Sequence, residues 1–241
     1  MPRFFVDSES INGNIITLNA NDSKHIKTVL RSKIGEKIVI CDKNGLDYLC
    51  ELVSLNSEVT AKIINKTENI SEPKTKITLF QGLPKADKME LIIQKSVELG
   101  INSIVPIKTS RTIVKLENNA DKKLQRWQKI SEAAAKQSER GKIPKIENIL
   151  NFKEAIKYAI LNFDDVIIAY ENEHKNRIRE FISNFSGKSI AVFVGAEGGF
   201  EEDEIEYAKE NNVKIITLGN RILRTETAGF TILTILLYEL E

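Results

Sequence analysis

The chain has 241 residues, longer than the usual single domain of about 100–200, which predicts one large α/β domain with a smaller partner. Hydrophobic residues make up 41% and charged residues 29%, a composition that excludes wholesale disorder. A formal net charge of +1 excludes a strongly cationic coat for non-specific nucleic-acid binding, since that mode needs many uncompensated phosphate contacts, and leaves room for a local basic face.

The first 65 residues contain short β-rich runs at 4–6, 14–18, 36–42, 47–55 and 58–64, with one helical turn over 22–31. This spacing predicts a small antiparallel barrel or sandwich. Asn44-Gly45 reads as a two-residue hairpin turn, which would face Cys41 with Tyr48 and leave Cys50 a diagonal neighbour about 7–8 Å away, too far for an easy disulfide. Both cysteines read as small core residues. Only His25 and His174 stand beside them and no Cys-x-x-Cys pair occurs, so no metal site is predicted. Residues 66–76, with Asn69, Ser71 and Pro73, read as a linker between domains at 1–70 and 75–241.

From Ile77 onward the pattern becomes strands alternating with helices. Strands are expected at 77–81, 103–107, 166–170, 189–194 and 214–218, with a weaker one at 145–149. Over 87–99, Met89, Ile92, Ile93 and Val97 share one helical face, Gly100 ends the helix, and Asp87 with Glu90 reads as a capping pair. The alternation predicts a mostly parallel sheet with helices on both faces. The opening residues lack a secretory pattern, and the most apolar stretch, 230–240, is far shorter than the roughly 20 residues that cross a bilayer, so a cytoplasmic protein without a membrane partner is expected.

Open parallel sheets bind ligands beyond the carboxyl ends of their strands, which directs attention to two late loops. Gly195-Ala196-Glu197-Gly198-Gly199-Phe200 follows an apolar strand, and its glycines permit close backbone approach and positive φ angles. It has neither the spacing nor the lysine of a phosphate loop. Glu197 and the acidic run 201–204 would repel a pyrophosphate, so a neutral or cationic ligand suits this loop better; S-adenosylmethionine carries a positive sulfonium. A plain strand-to-helix turn would show the same glycines. The second loop, 218–228, places Ile222 and Leu223 between Arg221 and Arg224, with Thr225 as a cap for the last helix. Apolar residues beside arginines suit a base-binding pocket facing an anionic polymer, and suit equally well two surface charges paired with glutamates.

Taken together, 195–200 and 218–228 resemble the SPOUT-class methyltransferases, specifically the family that makes N3-methyluridine in 16S ribosomal RNA. The resemblance covers nearly the whole chain, through Pro2-Arg3-Phe4-Phe5, His25 with Val29-Leu30-Arg31 and Gly35, Leu83-Pro84-Lys85 with Asp87-Lys88, Thr109-Ser110-Arg111, and Arg126-Trp127 through Gln137-Ser138 and Arg140. One departure is Ala196, where the family usually has Pro; alanine leaves the turn less restricted and removes no reactive atom.

The resemblance implies an α/β fold in which a PUA-like RNA-binding barrel precedes a mostly parallel sheet with flanking helices and a trefoil knot. Periodicity alone could not have predicted a knot. It implies S-adenosylmethionine as cofactor, 16S ribosomal RNA in a small ribosomal subunit as substrate, and a homodimer in which the apolar helix 230–238 is buried. The cofactor residues it implies are Gly195, Glu197, Gly198, Gly199, Leu218, Gly219, Ile222, Leu223, Thr225 and Ala228. Arg3, His25, Arg31, Lys85, Arg140 and Arg221 are implied for RNA. Removing the N3 proton leaves charge on the uracil oxygens, for which Arg224 and Arg111 are the expected stabilisers, with Glu197 orienting the loop or assisting deprotonation. Trp127 reads as a core anchor and His174 as a solvated helix start. The rival readings are a related knotted methyltransferase acting on transfer RNA or another ribosomal position, and an inactive RNA-binding assembly factor.

Overall fold

The computed structural model describes residues 1–113 and 119–241. It divides into two compact units, residues 1–72 with 135–143, and residues 73–134 with 144–241.

In the first unit, β1 (Arg3–Phe5), β2 (Ile11–Asn12), β3 (Ile15–Thr17), β4 (Lys37–Cys41), β5 (Leu46–Leu55) and β6 (Val59–Glu68) form one sheet in the order β1-β4-β5-β6-β3-β2. Only the β1–β4 pairing is parallel. Helix α1 (Ala20–Lys24) is capped by Asn19, whose side chain accepts from the Asp22 N–H, and runs into a π-helical turn His25–Leu30 that Arg31 ends with φ of 52°. Alternating residues of the strands close over Ile16, Leu18, Ile26, Ile38, Ile40, Cys50 and Leu52, a core built as an amphipathic sheet requires.

Two expectations fail here for local reasons. The hairpin after β4 carries three loop residues instead of two, because the Asp42 carboxylate accepts from the Asn44 and Leu46 N–H groups at 2.8 and 3.1 Å and draws the chain into a wider turn. The register therefore slips by one: Cys41 faces Asp47 and Cys50 faces Ile38. A one-residue slip changes the face of a side chain. Cys50 enters the core, and Cys41 points the other way, where its thiol donates to the Gly141 carbonyl at 3.0 Å. Burial pushes the Cys41 thiol up to about 11 and the Cys50 thiol up to about 12, so both stay protonated near neutrality. The linker also starts later than expected. Strand β6 continues to Glu68, pairing Lys66 with Tyr48 and Thr67 with Asp47, and its polar residues read as loop only because they face solvent.

The second unit holds β7 (Lys76–Gly82), α2 (Lys88–Leu99), β8 (Ser103–Lys108), most of α3 (Ala120–Gln137), β9 (Lys145–Ile146), β10 (Leu150–Asn151), α4 (Phe152–Asn162), β11 (Asp165–Ala169), α5 (Ile178–Asn184), β12 (Ser189–Val194), α6 (Glu202–Glu210), β13 (Lys214–Ile216) and α7 (Thr225–Leu240). Among the described residues of this unit all strand pairings are parallel, in the order β10-β8-β7-β12-β11-β13, with β9 beside β8. The central strands β7 and β12 are buried on both faces, which is why they read as predominantly apolar runs. Phe80 and Phe193 stack at 4.3 Å between them, each such side chain contributing about 1.5–3 kcal/mol by leaving water.

Helix α2 buries Met89, Ile92, Ile93 and Val97 as the periodicity predicts. The expected Asp87–Glu90 capping pair does not form: the Asp87 side chain caps nothing, and Glu90 pairs with Arg126 at 2.8 Å. Capping boxes close instead at Asn151–Glu154 and Glu201–Glu204, which gives part of the acidic run a structural task. Trp127 is buried. In α7, Ile232, Leu233, Leu236 and Leu237 are buried within the chain, so little of the apolar surface of 230–238 is left for a partner; Tyr238, 83% exposed, is the clearest outward group.

Candidate functional site

Four chain segments converge beyond the carboxyl ends of β7, β11, β12 and β13. They enclose a cavity of about 370 Å³. Ala169, Tyr170 and Glu171 line it from the end of β11; Val194, Gly195, Ala196, Glu197 and Gly199 from β12; Thr217 to Gly219 and Arg221 to Thr225 from the last loop; Lys88 and Ala228 complete the wall. Its volume lies in the range of small-molecule sites, and its position is the one an open parallel sheet reserves for ligands.

The glycine loop is both the tight turn and the cavity wall that the sequence left as alternatives. The Gly199 N–H donates to the Ala196 carbonyl at 3.0 Å, closing the turn. Gly199 has φ of 67°, a conformation that strains most other residues, and a β-carbon there would displace the Glu171 carboxylate. Gly198 departs from its expected role. It does not line the cavity; a β-carbon on it would meet the Arg111 side chain at 2.9 Å, and its carbonyl accepts from Arg111 Nη1 at 2.7 Å.

Arg111 makes a bidentate pair with Glu201, at 2.8 and 3.0 Å, in addition to its bond to Gly198. The hydrogen bonds to Glu201 hold its guanidinium above the usual arginine range. It is a clamp on the glycine loop and is not aimed at the cavity. Glu197 accepts from the Lys85 backbone N–H at 3.2 Å and pairs with the Lys88 ammonium at 3.1 Å. Burial pushes its carboxyl up, but the backbone N–H groups and Lys88 outweigh that and hold it below the usual glutamate range. A carboxylate so stabilised is a poor acceptor of a substrate proton at neutral pH, which favours the orienting role over deprotonation. Lys88 also reaches Glu226 at 3.5 Å.

The last loop carries the larger corrections. Arg224, not Thr225, occupies the N-cap position of α7, through its backbone carbonyl, which accepts from Ala228 N–H at 2.8 Å. The Arg224 and Arg221 side chains are exposed at the cavity and make no ion pair among the described residues. Ile222 is 85% exposed and Leu223 half-buried, so the apolar pair borders the opening. Thr225 is buried. Its hydroxyl accepts from Gln81 Nε2 at 2.8 Å and donates to the Gly195 carbonyl at 2.5 Å. Neither Gln81 nor Lys88 was given a site role from the sequence, although Lys88 stands in one of the matching stretches; for Gln81 the available signal was a glutamine closing the strand 77–81.

The residues expected at RNA divide in two. Arg3 is held bidentate by Asp47 at 2.7 and 2.8 Å, and Arg140 is buried against Glu72 at 2.6 and 3.1 Å, so both guanidiniums serve the first unit's interior and not a phosphate. His25, Arg31 and Lys85 are exposed, with the His25 ring edge-on to Phe4 at 6.2 Å.

A parallel sheet with this cradle at its carboxyl edge, on one chain with a small curled sheet, defines a class of RNA methyltransferases. A family described as RNA methyltransferase domain matches residues 71–237, and one described as RNA methyltransferase PUA domain matches residues 18–64. Ribosomal RNA small subunit methyltransferase E of Mesomycoplasma hyopneumoniae is 39% identical, covering 97% of this chain and 98% of the relative. The protein of the same name in Bacillus subtilis is 34% identical over 100% of this chain and 98% of its own. The crystal structure of the Neisseria gonorrhoeae enzyme of that name bound to S-adenosyl methionine superposes with a TM-score of 0.85 at 32% identity, covering 98% and 96% of the two chains. The chain belongs to the ribosomal RNA small subunit methyltransferase E family.

Proposed function

We propose that this protein transfers a methyl group from S-adenosylmethionine to N3 of a uridine in 16S ribosomal RNA, in the cytoplasm and on a small ribosomal subunit. The observation that carries the reading is the convergence of both motif loops, 195–200 and 218–228, on one cavity. The cavity's chemistry fits the cofactor: backbone-lined walls admit a flat ring, and the Glu171 carboxylate, which makes no ion pair among the described residues, favours a cation. Bound there, the cofactor supplies an electrophilic methyl on a sulfonium.

The chain's own residues supply alignment and charge stabilisation. Gly199 and Gly195 bring backbone to the ligand, while Ile222 and Leu223 border the opening where a base would enter. Arg224, exposed and free of a carboxylate partner, stabilises charge on a uracil oxygen as the N3 proton leaves. Arg111 acts through the loop that it clamps, and Glu197 through the shape that it gives that loop with Lys85 and Lys88. Arg221, Lys85, His25 and Arg31 supply contacts to the RNA backbone, the last two from the PUA-like unit. A trefoil knot in the second unit and a homodimer through α7 complete this reading.

The test is mass spectrometry of small-subunit ribosomal RNA from cells with and without the gene. N3-methyluridine should vanish in the deletion and return with the wild-type gene; its persistence would end the proposal.

A further inference from the structure

Gln81 is fully buried at the end of β7, and its amide is used unevenly. Its Nε2 lies 2.8 Å from Thr225 Oγ1, 2.9 Å from the Gly82 carbonyl and 3.4 Å from the Gly195 carbonyl, whereas its Oε1 is buried with no partner. Three acceptors around one end fix which end is the amino group. The orphaned Oε1 lies toward Gly229 of α7, where a β-carbon would meet it at 3.7 Å, an ordinary contact that offers no hydrogen bond. An unpaired buried acceptor is costly, and an apolar side chain of the same shape would avoid the cost. That side chain would also lose the bonds to Thr225 and the Gly82 carbonyl, so the place of a glutamine here rests on what its amino group holds together.

We infer that Gln81 is a positioning residue for the cofactor cradle, acting through a hydrogen-bond relay of fixed polarity from Gln81 to Thr225 to Gly195. A hydroxyl has one proton. Because Thr225 Oγ1 accepts from the Gln81 amide at 2.8 Å, its proton is directed to the Gly195 carbonyl at 2.5 Å. The relay ties three segments distant in sequence: the end of β7, the glycine loop and the first turn of α7. Gly195 and Thr225 both line the cavity, so their separation and the tilt of the Gly195 peptide are set before any ligand arrives. Such preorganisation lowers the cost of binding and leaves the chemical step to other groups. The inference rests on the reading of this cavity as the cofactor site.

The test uses the full-length protein with Gln81→Met, Thr225→Val, Thr225→Ser and the double variant Gln81→Met/Thr225→Val. Urea denaturation, calorimetric titration with S-adenosylmethionine, and single-turnover methylation at saturating cofactor and RNA are measured on each. Gln81→Met should still unfold cooperatively, bind the cofactor about tenfold more weakly, the loss of about one hydrogen bond, and keep its saturating rate within about threefold. Thr225→Val should lose affinity similarly, Thr225→Ser should retain it, and the double variant should bind no worse than the weaker single one, as members of one relay must. Unchanged affinity in a folded Gln81→Met, or additive losses in the double variant, would overturn the relay and leave the cavity assignment standing. Should Gln81→Met not fold, equal affinities of Thr225→Val and Thr225→Ser would overturn the relay, and a loss only in the valine variant would support it. A wild-type protein that binds no cofactor would refute the cavity assignment and the relay with it.

Discussion

Gly82 ends β7 directly beneath the glycine loop, and replacing it with alanine should uncouple folding from cofactor binding. A methyl group there would press on the Ala196 amide nitrogen and lie 2.8 Å from the Gly195 carbonyl carbon and 3.2 Å from its α-carbon. Those atoms are backbone, so no rotamer change relieves the contact. Ordinary contact begins near 3.4 Å, so the loop has to retreat by more than half an ångström, against the bonds that hold it to Thr225 and Arg111. Overpacking of this kind costs about 1–3 kcal/mol, a loss that a domain stable by about 5–15 kcal/mol survives. The cavity wall moves with the loop, and misplacement approaching 1 Å costs about a hundredfold where positioning drives the reaction. We expect Gly82→Ala to melt cooperatively, to bind S-adenosylmethionine at least tenfold more weakly by calorimetry, and to lose most of its single-turnover rate. A folded Gly82→Ala with wild-type affinity and rate would show that the loop's position does not matter to the site.

Replacing Arg224 with Ala, or with Lys, which keeps the charge but loses the planar fork, should lower the single-turnover rate at saturating cofactor by tenfold or more while the cofactor affinity holds; wild-type rates in both would make Arg224 a surface charge. Because the Glu197 carboxyl is held below its ordinary value of about 4.3, it contributes stability above that pH and loses it as the pH falls through the lower folded value. Melting temperatures of the wild type and Glu197→Gln should therefore converge as the pH drops below about 4.3, and parallel curves would contradict the assignment. Tyr238→Glu, on the outward face of α7, should convert a dimeric wild type to monomers in sedimentation at micromolar concentration; a wild type that already sediments as a monomer would remove the dimer.

Much of the architecture was legible because burial imposes its own pattern. β7 and β12, covered on both faces, had to be mostly apolar, and α2, covered on one, had to repeat at helical spacing. What stayed hidden depended on partners far along the chain. Arg3 and Arg140 carry letters that suit a phosphate or a carboxylate equally, and only the fold brings Asp47 and Glu72 to them across 44 and 68 residues. Gly198 was indistinguishable from Gly199 in the sequence; the conformation of one turn sends the first to Arg111 and the second to the cavity. The hairpin register failed because a single aspartate side chain, Asp42, competed successfully for the turn's N–H groups.

Residues 135–143 belong to the first unit although residues 73–134 intervene, and this interruption governs how the chain can be cut and made. A fragment ending at Glu72 contains every strand of the first sheet but leaves Glu72 without Arg140 and the Cys41 thiol without the Gly141 carbonyl. During synthesis the six strands emerge long before the residues that complete their surroundings, so the first unit has to wait for residue 143 before it can finish folding. Any attempt to isolate the PUA-like unit has to graft the 135–143 segment onto its end, and any recombination between relatives has to exchange both pieces together.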